Sequence, residues 1–127
     1  MILIDTSVWI EFFRQRDTVV ERIRPLLSEQ KVVTVEPVFS ELLFGVRNKK
    51  EKEIIQSYWQ VLPRIDFGRN SMLEAATFAN KNDYQSKGIG LMDAIIIKSA
   101  LDGRHLIWTL DSRINAHMDA RILYSPS

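Results

Sequence analysis

The chain has no cysteine in its 127 residues, which removes disulfides, thiolate catalysis and cysteine-based zinc sites together and agrees with a reducing cytoplasm. A dominant charge is missing too: 17 Lys and Arg against 16 Asp and Glu leave a formal net charge of +1. That balance excludes a polycationic nucleic-acid coat and an acidic disordered tail, so any nucleic acid is expected on a local patch. Long hydrophobic runs are absent. Met1 to Ile4 is apolar but runs into Asp5 without a basic leader, so it is expected to be a core strand rather than a signal peptide or membrane anchor. There is no internal repeat, low-complexity tract or interdomain linker, and His105 and His117 lack metal-ligand spacing. What remains is oxygen and nitrogen chemistry, hard metals included, on a chain whose length and 46% hydrophobic content suit one domain with a single core.

Apolar patterning gives an order of elements. Ile2 to Ile4 reads as a strand buried on both faces, followed by helix-start residues Asp5, Thr6 and Ser7 and a helix over Val8 to Phe13. A second helix is expected over Thr18 to Ser28, with Pro25 as its weak point. Lys31 to Val35 is rich in β-branched residues and reads as strand two, and Pro37 opens a helix to Arg47. After a polar turn at Asn48, Lys49 and Lys50, helical spacing runs from Glu51 to Val61. Leu62 to Phe67 contains Pro63, which favours an edge strand; a helix over Ser71 to Gln85 follows and ends before Gly88 and Gly90. Leu91 to Leu101 is apolar almost all round, as in a buried helix, and Leu106 to Thr109 reads as a buried strand leading to Asp111. Ser112 to Met118 suits a short helix and Ile122 to Tyr124 a last strand. Strands alternating with helices imply a parallel α/β sheet, whose ligands bind outside the carboxyl ends of its strands.

Four carboxylates stand out in that frame: Asp5, Glu41, Asp93 and Asp111, each at a strand end or early in a helix within apolar sequence. An ionised group facing the interior needs a partner, and no Lys or Arg recurs at matching positions, so a hard divalent metal is the economical explanation. This points to a metal-dependent phosphodiesterase. Helix capping explains Asp5, Asp93 and Asp111 equally well one at a time, and a surface position explains Glu41. On a helix, however, Glu41 shares a stripe with Val38, Leu42 and Gly45, which directs its carboxylate along the buried edge. Thr6, Ser7, Ser40 and Thr109 adjoin these acids and are suited either to orienting them or to capping a turn.

Four segments, taken in order, resemble a known family: Ile4-Asp5-Thr6-Ser7-Val8-Trp9-Ile10, Ser40-Glu41-Leu42-Leu43-Phe44-Gly45, Leu91-Met92-Asp93-Ala94-Ile95-Ile96 and Thr109-Leu110-Asp111. They are similar to those of PIN domains, and among these to the ribonuclease toxins of the VapBC toxin–antitoxin class. The resemblance implies a three-layer fold with a central parallel sheet of about four or five strands flanked by helices. It also implies an acidic pocket for Mg2+ or Mn2+, with Asp5 and Asp93 as direct ligands and Glu41 and Asp111 completing the cluster. The implied activity is endonucleolytic hydrolysis of RNA by in-line attack of water, with one-ion and two-ion schemes both open. An antitoxin protein and a homodimer are the implied partners, with no membrane. Lys98 departs from the small residue usual in that helix, and Ser112-Arg113-Ile114 from the usual residues after the last aspartate.

Arg14, Arg16 and Arg113 follow elements that begin at the acids and are the candidate RNA contacts; Arg47, Lys49 and Lys50 are the densest basic cluster. Phe39, Phe44, Tyr58 and Trp59 suit either protein contacts or the core. Three other functions remain open on sequence: a DNA nuclease, a PIN-like scaffold that binds without cutting, and a phosphoacceptor signalling domain. The last would need adjacent early acids and a lysine ending a late strand, neither of which is present.

Overall fold

Ile2, Leu3 and Ile4 form strand β1 (Ile2–Ile4), an interior strand with a parallel neighbour on each side and all three residues buried, as in a sheet covered on both faces. The computed structural model describes residues 1–126. β2 (Val32–Val35) pairs with β1 through Ile2 opposite Val32, and β4 (Leu106–Trp108) pairs on the other side through Ile4 opposite Trp108. The two-residue edge strand β3 (Arg64–Ile65) joins β2 at Val35. The order is β3-β2-β1-β4, all parallel, so β1 and β4 deliver their carboxyl ends side by side.

Helices flank this sheet. Helix α1 (Thr6–Phe13) starts as soon as β1 ends, earlier than the apolar pattern predicts, because Asp5 caps it. Its Trp9 is fully buried within a ring cluster made with Phe12, Phe13, Phe39 and Tyr58. Helix α2 (Asp17–Ser28) runs through Pro25, with Ile23 and Leu26 buried on either side of it. Helix α3 (Glu36–Phe44) stops at Gly45 rather than at Arg47. Helix α4 (Lys49–Val61) begins inside the expected polar turn, because the Asn48 side chain accepts from the Glu51 N–H at 2.9 Å. Helix α5 (Ser71–Lys81) ends four residues early; the chain turns left-handed at Asp83 and, after a 3-10 turn over Gln85–Lys87, again at Gly88, where φ is +72°.

Helix α6 (Leu91–Gly103) buries Ala94 to Ile97 and Ala100, as its composition predicts, and Lys98 pairs with Asp102 one turn on. Helix α7 (Ser112–His117) follows β4 and fully buries Ile114. The expected last strand at Ile122 to Tyr124 is corrected: Asp119 caps a 3-10 turn over Ala120–Ile122, leaving one parallel bridge between Ile107 and Leu123. Among the described residues, no helix is long and apolar enough to cross a membrane.

Candidate active site

The carboxyl ends of β1 and β4 meet at Asp5. Its backbone N–H donates to the Trp108 carbonyl at 2.9 Å, and its side chain, in a residue only 5% exposed, is held from both strands. Oδ1 accepts from the Thr6 N–H at 2.8 Å. Oδ2 accepts from the Ser7 hydroxyl at 2.9 Å and the Thr109 hydroxyl at 2.6 Å. Each hydroxyl accepts in turn from the backbone that follows β4, Ser7 from Leu110 N–H and Thr109 from Asp111 N–H, both at 3.0 Å. A network this fully partnered fixes the carboxylate in place. The capping role and the strand-end position coexist at Asp5.

Asp93 lies in the first turn of α6, half-buried. Burial, then the negative charges of Asp5 and Asp111, hold its carboxyl above the usual range, against a backbone hydrogen bond from Gly90 and the charge of Arg113. Asp111 caps α7, accepting from the Arg113 N–H at 2.8 Å and the Ile114 N–H at 3.3 Å. Burial pushes it up, but these bonds and the Arg113 guanidinium at 3.3 Å outweigh burial, so it sits below the usual carboxylate range. Glu41 departs from expectation: it is exposed on the flank of α3, beside the buried row of Val38 and Leu42, not along a buried edge. Thr6 links it to the others, its hydroxyl donating to Glu41 Oε1 at 2.7 Å while its N–H serves Asp5.

Asp93, which feels the charges of Asp5 and Asp111, and the oxygen donors around it offer the chemistry that a hard divalent cation takes. Among the described residues no group of three or more Asp, Glu or His side chains stands close enough together to hold an ion. A hydrated divalent cation that keeps several waters needs only one or two direct carboxylates.

A family model described as "PIN domain" matches residues 2–118. The chain belongs to the PIN domain family. It is 30% identical to Ribonuclease VapC32 of Mycobacterium tuberculosis over 117 residues, covering 91% of this chain and 89% of that protein. It is 33% identical over 69 residues to Ribonuclease VapC11 of the same organism, covering 52% of each. Among solved structures, a toxin-antitoxin complex from Klebsiella pneumoniae superposes with a TM-score of 0.74 at 16% identity, covering 93% of this chain and 92% of that one. VapBC2 from Rickettsia felis bound to a DNA fragment from its promoter gives 0.67 at 21%, covering 97% and 96%. At those identities the likeness establishes the fold.

The candidate RNA contacts of this PIN domain divide by environment. Arg14 and Arg16 both pair with Glu11, at 3.8 and 3.0 Å. Arg14 also lines a groove of about 280 Å3 that includes Glu41, Leu42, Arg47 and Ile55. Arg113 alone of the three hydrogen-bonds one of the four acids. Arg47 is held by Glu51 and Lys49 by Glu53. Of the aromatic candidates, Phe39 is core at 2% exposed, Tyr58 and Trp59 are half-buried, and Phe44 is 94% exposed. His105 precedes β4 near the chain's amino group, at the opposite end of the strands from the acids; burial and that amino group hold it below the usual range. Sequence reading misses Asn115, whose side-chain amide donates to the Thr109 carbonyl at 3.0 Å. Its polar position on a short helix facing the last strand end is the only signal.

Proposed function

We propose that this PIN domain is a Mg2+- or Mn2+-dependent endoribonuclease that acts in the cytoplasm as the toxin of a toxin–antitoxin pair. The observation that carries the reading is the raised carboxyl of Asp93, facing the charges of Asp5 and Asp111 at the carboxyl ends of adjacent parallel strands. A carboxylate kept at such a cost is better explained by a cation than by capping. The ribonuclease names of its relatives and the toxin-antitoxin complexes among its structural neighbours support the same reading.

Asp5 and Asp93 would hold the cation, with Glu41 and Asp111 completing the acidic cluster. When bound, the cation supplies positive charge to offset what builds on the phosphate oxygens. Ser7 and Thr109 keep Asp5 in one rotamer, and Thr6 ties Glu41 to it. Glu41 or Asp111 orients the attacking water. In hydrolysis the water oxygen bonds to phosphorus, one P–O ester bond breaks, and the departing sugar oxygen takes up a proton. Exposed Phe44 is suited to the antitoxin or to a second copy of the chain.

The test is single-turnover cleavage of RNA with and without Mg2+, with the cut ends mapped. Glu41→Gln and Asp111→Asn should lose about 10–100-fold and Asp5→Asn and Asp93→Asn more, as outer and direct ligands do. Near-normal cutting by the last two variants refutes the site. Expression of the chain alone should arrest bacterial growth, and a small protein encoded beside it should relieve the arrest.

A further inference from the structure

Asp-X-Arg occurs three times late in the chain, and two of the copies, Asp111-Ser112-Arg113 and Asp119-Ala120-Arg121, open a helical turn. In both, the aspartate caps a helical turn and accepts the backbone N–H of the arginine two residues on, at 2.8 and 2.9 Å. The guanidinium groups then behave differently. Arg121 closes on its aspartate through Nη2 at 2.7 Å and Nε at 3.1 and 3.2 Å, and Asp119 falls to about 2. Arg113 makes one contact with its aspartate, from Nη2 at 3.3 Å. Its stem lies instead across Gly88, where a Cβ would stand 3.1 Å from Arg113 Cδ. The left-handed turn at Gly88 therefore serves as a seat that holds the fork away from a closed ion pair. Its side chain is 59% exposed at the rim of the acidic cluster.

We infer that Arg113 grips the phosphate of the nucleotide being cut, presented by the Gly88 turn with most of its guanidinium uncommitted. This rests on the nuclease reading. A phosphodiester carries one negative charge over two non-bridging oxygens, and the guanidinium fork matches that pair. Asp5, Asp93 and Asp111 repel the same group, so a cation at their rim is needed to bring it in. Arg14 and Arg16 are drawn instead to Glu11. As charge builds on the phosphate oxygens during hydrolysis the grip tightens, so Arg113 acts on rate as well as on binding.

The test uses a labelled RNA oligonucleotide containing a cut site mapped with the wild type. Binding is measured over a NaCl series without divalent metal, in an Asp93→Asn background, and single-turnover cleavage with Mg2+ in the otherwise native chain. Arg113→Ala should reduce the slope of log affinity against log salt by about 0.7, the loss of one contact to a single strand. It should also slow cleavage about 10²–10³-fold. Arg113→Lys should keep the slope but cut slowly, having charge without the fork. Gly88→Ala, folded as judged by its thermal midpoint, should also cut slowly with the slope intact. Arg121→Ala should change neither. A wild type that cuts beside an Arg113→Ala variant with unchanged rate or unchanged slope overturns the assignment and leaves the nuclease standing. A wild type with no metal-dependent cutting removes both.

Discussion

Thr109 Oγ1 donates a 2.6 Å hydrogen bond to Asp5 Oδ2 across 104 residues of sequence, and both groups are buried. The same oxygen accepts from the Asp111 N–H, so one hydroxyl joins two of the acids.

Thr109→Val keeps the shape and removes both bonds. It should destabilise the protein by about 1.5–3 kcal/mol, the range for a hydrogen bond to a charged group, and slow cleavage by freeing Asp5. Urea unfolding and single-turnover kinetics read the two effects. Wild-type stability in the variant would mean that Ser7 and the Thr6 N–H suffice to hold the carboxylate.

Asp93 gives a pH dependence of defined sign. Burial and the charges of Asp5 and Asp111 raise its folded value above that of the unfolded chain. Between the ordinary carboxylate range and the raised value the folded state binds more protons, so this residue's contribution to stability falls as pH rises through that window. Asp93→Asn removes the penalty. In chelator at pH 7 the variant should melt above the wild type, and the gap should close as pH drops below the ordinary carboxylate range. A variant that melts lower at pH 7 contradicts the mutual repulsion.

Metal should reverse that ranking. A native site with a dissociation constant of about 1 mM gains about 1.4 kcal/mol at about 10 mM Mg2+, a thermal shift of roughly 5 °C. The wild type should show it and Asp93→Asn should not, at ionic strength matched with NaCl. Equal responses would return Asp93 to a capping role.

The aromatic residues of α3 should separate cleanly. Phe39→Ala empties a core position and should cost about 3–5 kcal/mol. Phe44→Ser should change stability by less than about 0.5 kcal/mol, yet weaken self-association or antitoxin binding. Size-exclusion profiles and pull-down with the neighbouring gene product report the second effect. Unaltered profiles and capture place the interface elsewhere.

Much of this is legible in the sequence. The continuous apolar runs of β1 and β4 and the all-round apolar α6 announce themselves because burial on every side leaves no polar alternation to misread. The failures lie where local geometry overrides periodicity. Ile122 to Tyr124 has a strand's composition, but Asp119 accepting from the Arg121 N–H winds the chain first. Pro25 is tolerated because Ile23 and Leu26, on either side of it, are both core. Glu41 shares its spacing with a buried row yet sits on the solvent flank, a rotation of one helical step that residue types do not encode. The hydroxyls beside Asp5 are visible in the sequence as neighbours, whereas the bonds that join the two strand ends follow only from the register.

That register has a consequence of its own. Ile4 lies opposite Trp108, and Asp5 and Thr109 are the residues that directly follow the two strands. A slip of one residue would carry Thr109 about 3.3 Å along and turn its hydroxyl to the other face of the sheet, away from Asp5. A misthreaded chain could still bury most of its leucines and isoleucines and remain compact, but it could not assemble the acids. Catalytic competence is therefore a quality check on folding, and a preparation's specific activity counts the fraction of molecules whose two central strands are correctly aligned.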